Sequence, residues 1–375
     1  MSRCAWLSIG LCLAAVSLPF SSVAEAAKDR GQFDTRDGDD LMRMEGVWLS
    51  RGYGWLWQIK DGRVATFDYA PGVCIPKDRV RGLPDSVPDR ILVSRNQKTV
   101  RFALWDPTYL HTFDKLDAIP AECLKKPDTT ALGVYDATVS MFSAHYAFFA
   151  ERNIDWPARA ALFRKKLTAT SDDRALFGAL AGLLAKIDDG HVTMEAEVDG
   201  ETINYNPDRP ERPLPEAARR RLTTVGYWTR DIGPEIVDGR LRSVGDGSVK
   251  FGLIGDDIGY LYVASTGRTL RQALSNGAMD RARELFHGKR ALVIDVSKNF
   301  GGADYVARRF ASLFTKKRVT GYYKFAGDAA GAEPQPVVVE PTDDELLFDG
   351  PIYVITSRTT ISAAAILVMC LNALP

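Results

Sequence analysis

The sequence predicts an α/β protein, α+β when all its domains are counted, and three patterns predict it. Between Gly46 and about Leu116 apolar and polar residues alternate with period two, the mark of half-buried strands. From 130 to 190 the period becomes that of amphipathic helices. From Ile258 onward short apolar runs alternate with helical stretches, and strand followed by helix, repeated, builds a layered α/β domain.

Residues 1–27 stand apart from the fold. MSRCAWLSIGLCLAAVSLPFSSVAEAA has a cationic start at Arg3, an apolar stretch from Ala5 to Phe20 and an A-x-A pattern at Ala24 to Ala26. This is the pattern of a secretory signal peptide. A membrane anchor is the competing reading, but the stretch is short and Ser21 and Ser22 interrupt it. No later run approaches the roughly 20 apolar residues of a membrane span. The expected mature protein is exported, periplasmic or secreted, with no membrane span. Residues 28 to about 40 are polar and are expected to form a flexible lead.

An N-terminal antiparallel β module is predicted over 41–125. WLWQIKDGRVATFDY alternates at Trp55, Trp57 and Ile59, turns at Asp61-Gly62 and resumes at Val64, a strong hairpin signal. RILVSRNQKTVRFALW repeats the pattern with a turn near Asn96. The tryptophans are either core or the lining of a ligand pocket. Residues 130–196 form a helical segment. In SDDRALFGALAGLLAKI, Ser171 is placed to cap the helix, with Asp172 and Asp173 at its positive end. Leu176, Leu180, Leu183, Leu184 and Ile187 make the buried stripe, and the helix runs into DDGHV. Residues 197–250, rich in Pro, Arg and Asp, read as a linker or excursion. Residues 251–375 make the α/β core: strands IGYLYVAS, RALVIDVS, TGYYKFA and PIYVITS, a helix in RQALSNGAMDRARELF, a helix in GGADYVARRFASLF and a last helix in ISAAAILVMCLNAL.

Composition excludes several function classes. The chain has 375 residues, 46% hydrophobic, and its 48 Lys and Arg balance 48 Asp and Glu, with no basic run of nucleic-acid density. Its four histidines, 111, 145, 191 and 287, are scattered, with neither Cys-x-x-Cys nor His-Glu-x-x-His, so no metal site is expected. Cys4 and Cys12 leave with the signal. Cys74 and Cys123 are then a possible disulfide in an oxidising compartment, or two thiols. Cys370 sits in an apolar helix pattern and reads as a buried hydrophobe.

Three short stretches have the means to carry chemistry. In parallel α/β sheets ligands bind at the carboxyl ends of strands. IDVSKNFGG places Gly301-Gly302 at one such end, where glycine lets backbone N–H groups approach a ligand, or simply makes a tight turn. ITSRTTISAAA places Ser362 where a strand becomes a helix, as a nucleophile beside the helix's positive end or as an ordinary cap with Thr360. DDGHV offers His191 as a general base, or as a structural histidine. Asp295 and Lys298 flank the glycine turn, the lysine most simply in solvent.

In this order the stretches resemble the tail-specific, or carboxyl-terminal processing, serine protease family and its relative the tricorn core. IDDGHV matches the family's helix-ending motif at Asp189, Gly190 and His191. Ile258-Gly259-Tyr260 matches its next strand. IDVSKNFGG matches at Asp295, Asn299, Gly301 and Gly302, with Ser297 in place of the usual Arg. TTISAAA matches at Thr360, Ser362 and Ala363, with Ala365 where Glu is usual. The resemblance covers roughly Val134 to Pro375 and implies a crotonase-like protease fold without cofactors and with peptide or protein substrates. It implies Ser362 as nucleophile, the backbone of Gly301, Gly302 and Ala363 as oxyanion hole, and Asp189, Asn299 and Thr360 as supports. The family's base is either a lysine a few dozen residues beyond the serine or the histidine of the Asp-Gly-His region, oriented by an acid further downstream; of these only His191 is available here. The interval 192–257 is too short and polar for a PDZ domain, and the buried character of the last helix suggests a C-terminally truncated product. A catalytically inactive, family-like scaffold that binds peptides or apolar ligands is the alternative.

Overall fold

The structure is a computed structural model and describes residues 33–77, 90–103, 109–207, 241–244, 246–324, 326, 334–342 and 346–375. The signal-peptide stretch and most of the Pro- and Arg-rich interval lie outside the described residues. Two compact units divide the chain, Met1–Pro210 with Lys324–Gln335 and Glu211–Tyr323 with Pro336–Pro375.

The first unit opens with eight strands: β1 (Phe33–Asp37), β2 (Gly46–Ser50), β3 (Trp55–Lys60), β4 (Arg63–Ala70), β5 (Val73–Pro76), β6 (Arg90–Ser94), β7 (Thr99–Phe102) and β8 (His111–Leu116). They pair in the order β1-β6-β7-β8-β2-β3-β4-β5, antiparallel throughout. The β3–β4 turn has positive φ at both central residues, 51° at Asp61 and 68° at Gly62, the geometry whose twist matches the flanking strands. Trp48 and Trp57 are core residues, and the Trp57, Phe102 and Phe113 rings pack with centroids 4.6 to 5.5 Å apart. The polar lead expected over 28–40 is corrected: its described part contains β1, followed by the 3-10 turn Gly38–Arg43 with Leu41 buried. β1 pairs with a distant strand, Phe33 opposite Ser94, and shows mostly outward residues, so no local alternation marks it.

Cys74 and Cys123 form a disulfide that ties β5 to the 3-10 turn Ala121–Leu124. Three helices follow, α1 (Ala131–His145), α2 (Trp156–Arg164) and α3 (Asp173–Leu184). Their shared core joins Tyr135, Phe142, Trp156, Leu180, Leu183 and Ile187. The cap of α3 is Asp172, whose carboxylate accepts from the Ala175 N–H at 2.7 Å, rather than Ser171, whose hydroxyl accepts from the Thr168 N–H. Strands β9 (Met194–Val198) and β10 (Glu201–Tyr205) make a hairpin that straddles the end of the segment read as helical and the start of the interval read as linker. Its alternation rests on Met194 and Val198 alone, with exposed acidic residues between them, too little for a strand signal.

The second unit contains β11 (Arg242–Val244), β12 (Val249–Ile254), β13 (Ile258–Val263), α4 (Arg268–Ala273), α5 (Asp280–Phe286), β14 (Ala291–Asp295), α6 (Asp304–Ser312), β15 (Val319–Lys324), β16 (Gln335–Val339), β17 (Ile352–Ile355) and α7 (Ala363–Asn372). The main sheet runs β11-β12-β13-β14-β17, antiparallel through β13 and parallel from there. β14 is buried along nearly its whole length, as its unbroken apolar run predicts for a strand covered on both faces. The single helix expected over RQALSNGAMDRARELF is two short ones, because Gly277 turns the chain at φ 71° and Asn276 accepts from the Ala278 N–H. Among the described residues β15 pairs with β16 alone, outside the main sheet. Cys370 is buried and takes no part in the disulfide.

Candidate active site

The parallel strands β13, β14 and β17 end together, and the loops that leave them are knitted by side-chain bonds. Asn299, fully buried, is the central knot. Its Nδ2 donates to the Val263 carbonyl at 3.1 Å, its Oδ1 accepts from the Gly301 N–H at 2.8 Å, and its carbonyl accepts from the Ile361 N–H at 3.3 Å. One residue thus joins the end of β13 and the glycine turn through its side chain, and the residue before Ser362 through its carbonyl. The Thr266 N–H donates to the Gly301 carbonyl, and the Ala303 N–H to the Thr266 carbonyl. Ser265 adds its hydroxyl to the Gly301 carbonyl at 3.1 Å. From the other side Thr360 Oγ1 donates to the Val296 carbonyl at 2.9 Å, while Thr359 and Ser357 both donate to that of Ser297.

Gly301 and Gly302 are glycines because space and conformation both demand it. Gly301 has φ 102°, and a Cβ there would lie 2.7 Å from Ser362 Cβ; at Gly302, φ 150°, one would lie 2.5 Å from the Thr266 carbonyl carbon. The glycine turn therefore backs directly onto the serine.

Ser362 stands at the N-cap position of α7 but does not cap it. Its backbone has φ 56° and ψ −134°, a region L-residues avoid, and its hydroxyl makes no capping bond. Such strain costs on the order of 1–3 kcal/mol and persists only where surrounding structure imposes it. A sharp strand-to-helix turn of this kind is how α/β hydrolases expose a nucleophilic serine. Of the three expected backbone donors, the Gly301 N–H is taken by Asn299. The N–H groups of Gly302 and Ala363 donate to no acceptor among the described residues.

Two features went unread in the sequence. Asp295 is fully buried, accepting from the Tyr260 hydroxyl at 2.7 Å and the Ser297 N–H at 2.9 Å, so the tyrosine of Ile-Gly-Tyr is its anchor. Lys298, expected in solvent, is 7% exposed. Burial pulls its ammonium pKa down, against the Asp295 charge that holds it up. The signal for both was the strand-end position, where loops from neighbouring strands converge.

His191 belongs to the first unit and Ser362 to the second. The Asp189 carboxylate accepts from the His191 N–H at 3.0 Å and lies 3.3 Å from its Nδ1. Among the described residues no group of three or more His, Cys, Asp or Glu is arranged to hold a metal ion, and no helix is long and apolar enough to cross a membrane.

The parallel-sheet core thus carries a strained serine at a strand-to-helix turn with a glycine turn behind it. Residues 257–374 match the family model of peptidase family S41. Over this segment the chain is similar to peptidase family S41, and the resemblance to the tail-specific proteases lies there. A protein described as a candidate peptidase from Parabacteroides merdae is similar in structure, with 22% identity, TM-score 0.50, and 66% of this chain covering 74% of that one. That similarity shows the fold. The photosystem II D1 C-terminal processing protease aligns at 17% identity and TM-score 0.25, over 35% of this chain and 30% of that one. A candidate S41 protease from Bacteroides fragilis aligns at 16% identity and TM-score 0.23, over 48% of this chain and 45% of that one. No curated protein matches.

Proposed function

We propose that this chain is an exported serine peptidase of the tail-specific type that cleaves peptide bonds through an acyl-enzyme on Ser362. The observation that carries the reading is the strained, uncapped Ser362 held against Gly301. In the proposed cycle Ser362 Oγ attacks the scissile carbonyl as His191 takes its proton. The carbonyl oxygen gains negative charge, which the N–H groups of Gly302 and Ala363 stabilise, the latter reinforced by the N-terminus of α7. His191 returns the proton to the departing amine, and water then releases the acyl group by the reverse sequence. Asn299 and Thr360 keep the two turns in register throughout. Export is supported by the A-x-A pattern at Ala24 to Ala26 and by the disulfide, which persists in oxidising compartments.

The test is a fluorophosphonate probe on the full chain, with casein cleavage in parallel. Labelling and cleavage that vanish in Ser362→Ala support the proposal. Cleavage undiminished in Ser362→Ala removes the serine from the mechanism, and a folded chain that never labels is the non-catalytic scaffold instead.

A further inference from the structure

The segment after α3 does more than present a histidine. Ile187 is fully buried and Val192 nearly so, pinning both ends of a tight turn closed by the Asp189 N–H on the Ile187 carbonyl and the Val192 N–H on the Asp189 carbonyl. Inside that turn the Asp189 carboxylate is divided between two tasks. Its Oδ1 accepts from the His191 N–H at 3.0 Å and faces His191 Nδ1 at 3.3 Å. Its Oδ2 accepts from the Tyr146 hydroxyl at 3.2 Å and lies 3.8 Å from Arg152 Nη2. Arg152 is itself anchored, donating through Nη1 to the Asp188 carbonyl. The aspartate side chain is 12% exposed and the histidine 31%, so the acid is the more enclosed of the two.

We propose that Asp189 is a positioning residue that holds His191 with its proton on Nδ1 and leaves Nε2 bare, so that Nε2 is the atom that takes the proton from the nucleophile. This rests on the reading of His191 as the base and names the acid that orients it. A neutral imidazole has one donor nitrogen and one acceptor, and an ionised carboxylate only accepts, so the nitrogen facing Asp189 must carry the hydrogen. An aspartate that served only to tighten the turn would need the His191 N–H alone. Here the ring is also rotated to bring Nδ1 onto the same oxygen. The second oxygen's partners keep the carboxylate from rotating away: Arg152 supplies the opposite charge, and Tyr146 stays a donor because burial and the Asp189 charge both push its phenol pKa up. During turnover Asp189 remains ionised, Nδ1 keeps its proton, and Nε2 gains one from the serine and passes it to the leaving amine.

The experiment is long-range proton–nitrogen NMR of the full chain with labelled histidine, at mildly alkaline pH. Four histidines make four ring signals, and His191→Gln identifies the one in question. The expected parent spectrum shows His191 protonated on Nδ1; Asp189→Asn shifts it toward the Nε2–H form that free histidine prefers. In cleavage assays Asp189→Asn lowers kcat by about 10⁴-fold, the scale for loss of an orienting acid, with KM little changed. Asp189→Glu recovers part of the loss. A parent His191 protonated on Nε2 overturns the proposal, as does an unchanged kcat in a folded Asp189→Asn chain. The parent spectrum decides the tautomer even where a variant fails to fold. It is independent of Ser362, so a chain that never labels at Ser362 but holds His191 on Nδ1 refutes the peptidase reading and leaves the pairing standing.

Discussion

Replacing Gly301 by alanine tests whether the glycine turn holds the serine in place. Two costs arise. A side chain at φ 102° is strained, by about 1–2 kcal/mol for the left-handed side of conformational space. The new methyl would also sit 2.7 Å from Ser362 Cβ, 3.0 Å from the Ile361 carbonyl oxygen and 3.1 Å from the Ala363 nitrogen. All three belong to the Ser362 turn, which must retreat by roughly 0.7 Å to reach the 3.4 Å where ordinary contact begins. Overpacking of that kind costs about 1–3 kcal/mol, for a total of about 2–5 kcal/mol. Gly288→Ala is the control, since φ is 69° there and nothing lies within 4 Å of the added methyl. It should cost only the conformational part, about 1–2 kcal/mol. Hydrogen exchange of second-unit peptides at rising urea reads the stability of that unit by itself. Probe labelling of Ser362 should fall by up to about 10²-fold, the scale for a misplacement near 1 Å. Equal losses in the two variants, or unimpaired labelling in Gly301→Ala, would refute the claim that the turn positions the serine.

Three further outcomes follow from particular contacts. Ser362→Gly relieves the strain at φ 56° at the expense of chain entropy, so it should stabilise the second unit by about 1 kcal/mol while abolishing probe labelling, read by the same exchange experiment. Reducing the Cys74–Cys123 disulfide frees a loop of 49 residues and should cost the first unit about 4 kcal/mol in the chain-entropy account, measured by urea titration with and without reductant. Burial works to raise the Asp114 pKa, but hydrogen bonds from Arg51 at 2.6 and 2.8 Å and from Thr99 at 2.9 Å override it and hold the carboxyl below its usual value. A depressed folded-state pKa contributes stability above the unfolded value of 3.8 that is lost as pH falls through the folded one. The urea midpoint of the first unit should therefore drop in acid, and drop less in Asp114→Asn.

The elements that were legible in the sequence are those whose signal is local. The β3–β4 hairpin announced itself through Asp61-Gly62, and β14 through an apolar run too continuous for a one-sided strand. α3 was marked by its leucine stripe, and α7 by the apolar run after Ser362. β1 and the β9–β10 hairpin were not legible, because strands with mainly outward residues acquire their structure from a partner rather than from their own alternation. The break between α4 and α5 lay in Asn276-Gly277, a turn pair inside an otherwise helical pattern.

At the site the same division applies with more consequence. The sequence by itself determined which residue types stand at the strand ends, and in what order: Asp-Gly-His, then Asn-Phe-Gly-Gly, then Thr-Ile-Ser-Ala. It also determined that Ser362 falls between a strand and a helix. Whether that serine was a cap or a strained, uncapped hydroxyl was decided only by the tertiary structure, through the close approach of Gly301. The same holds for Asn299 as the tie between three loops and for the burial of Lys298. The physical reason is range. Periodicity and turn chemistry act over a few residues, whereas a buried polar group takes its partner from whatever segment the fold brings beside it, here Val263 and Ile361 on opposite sides of one asparagine.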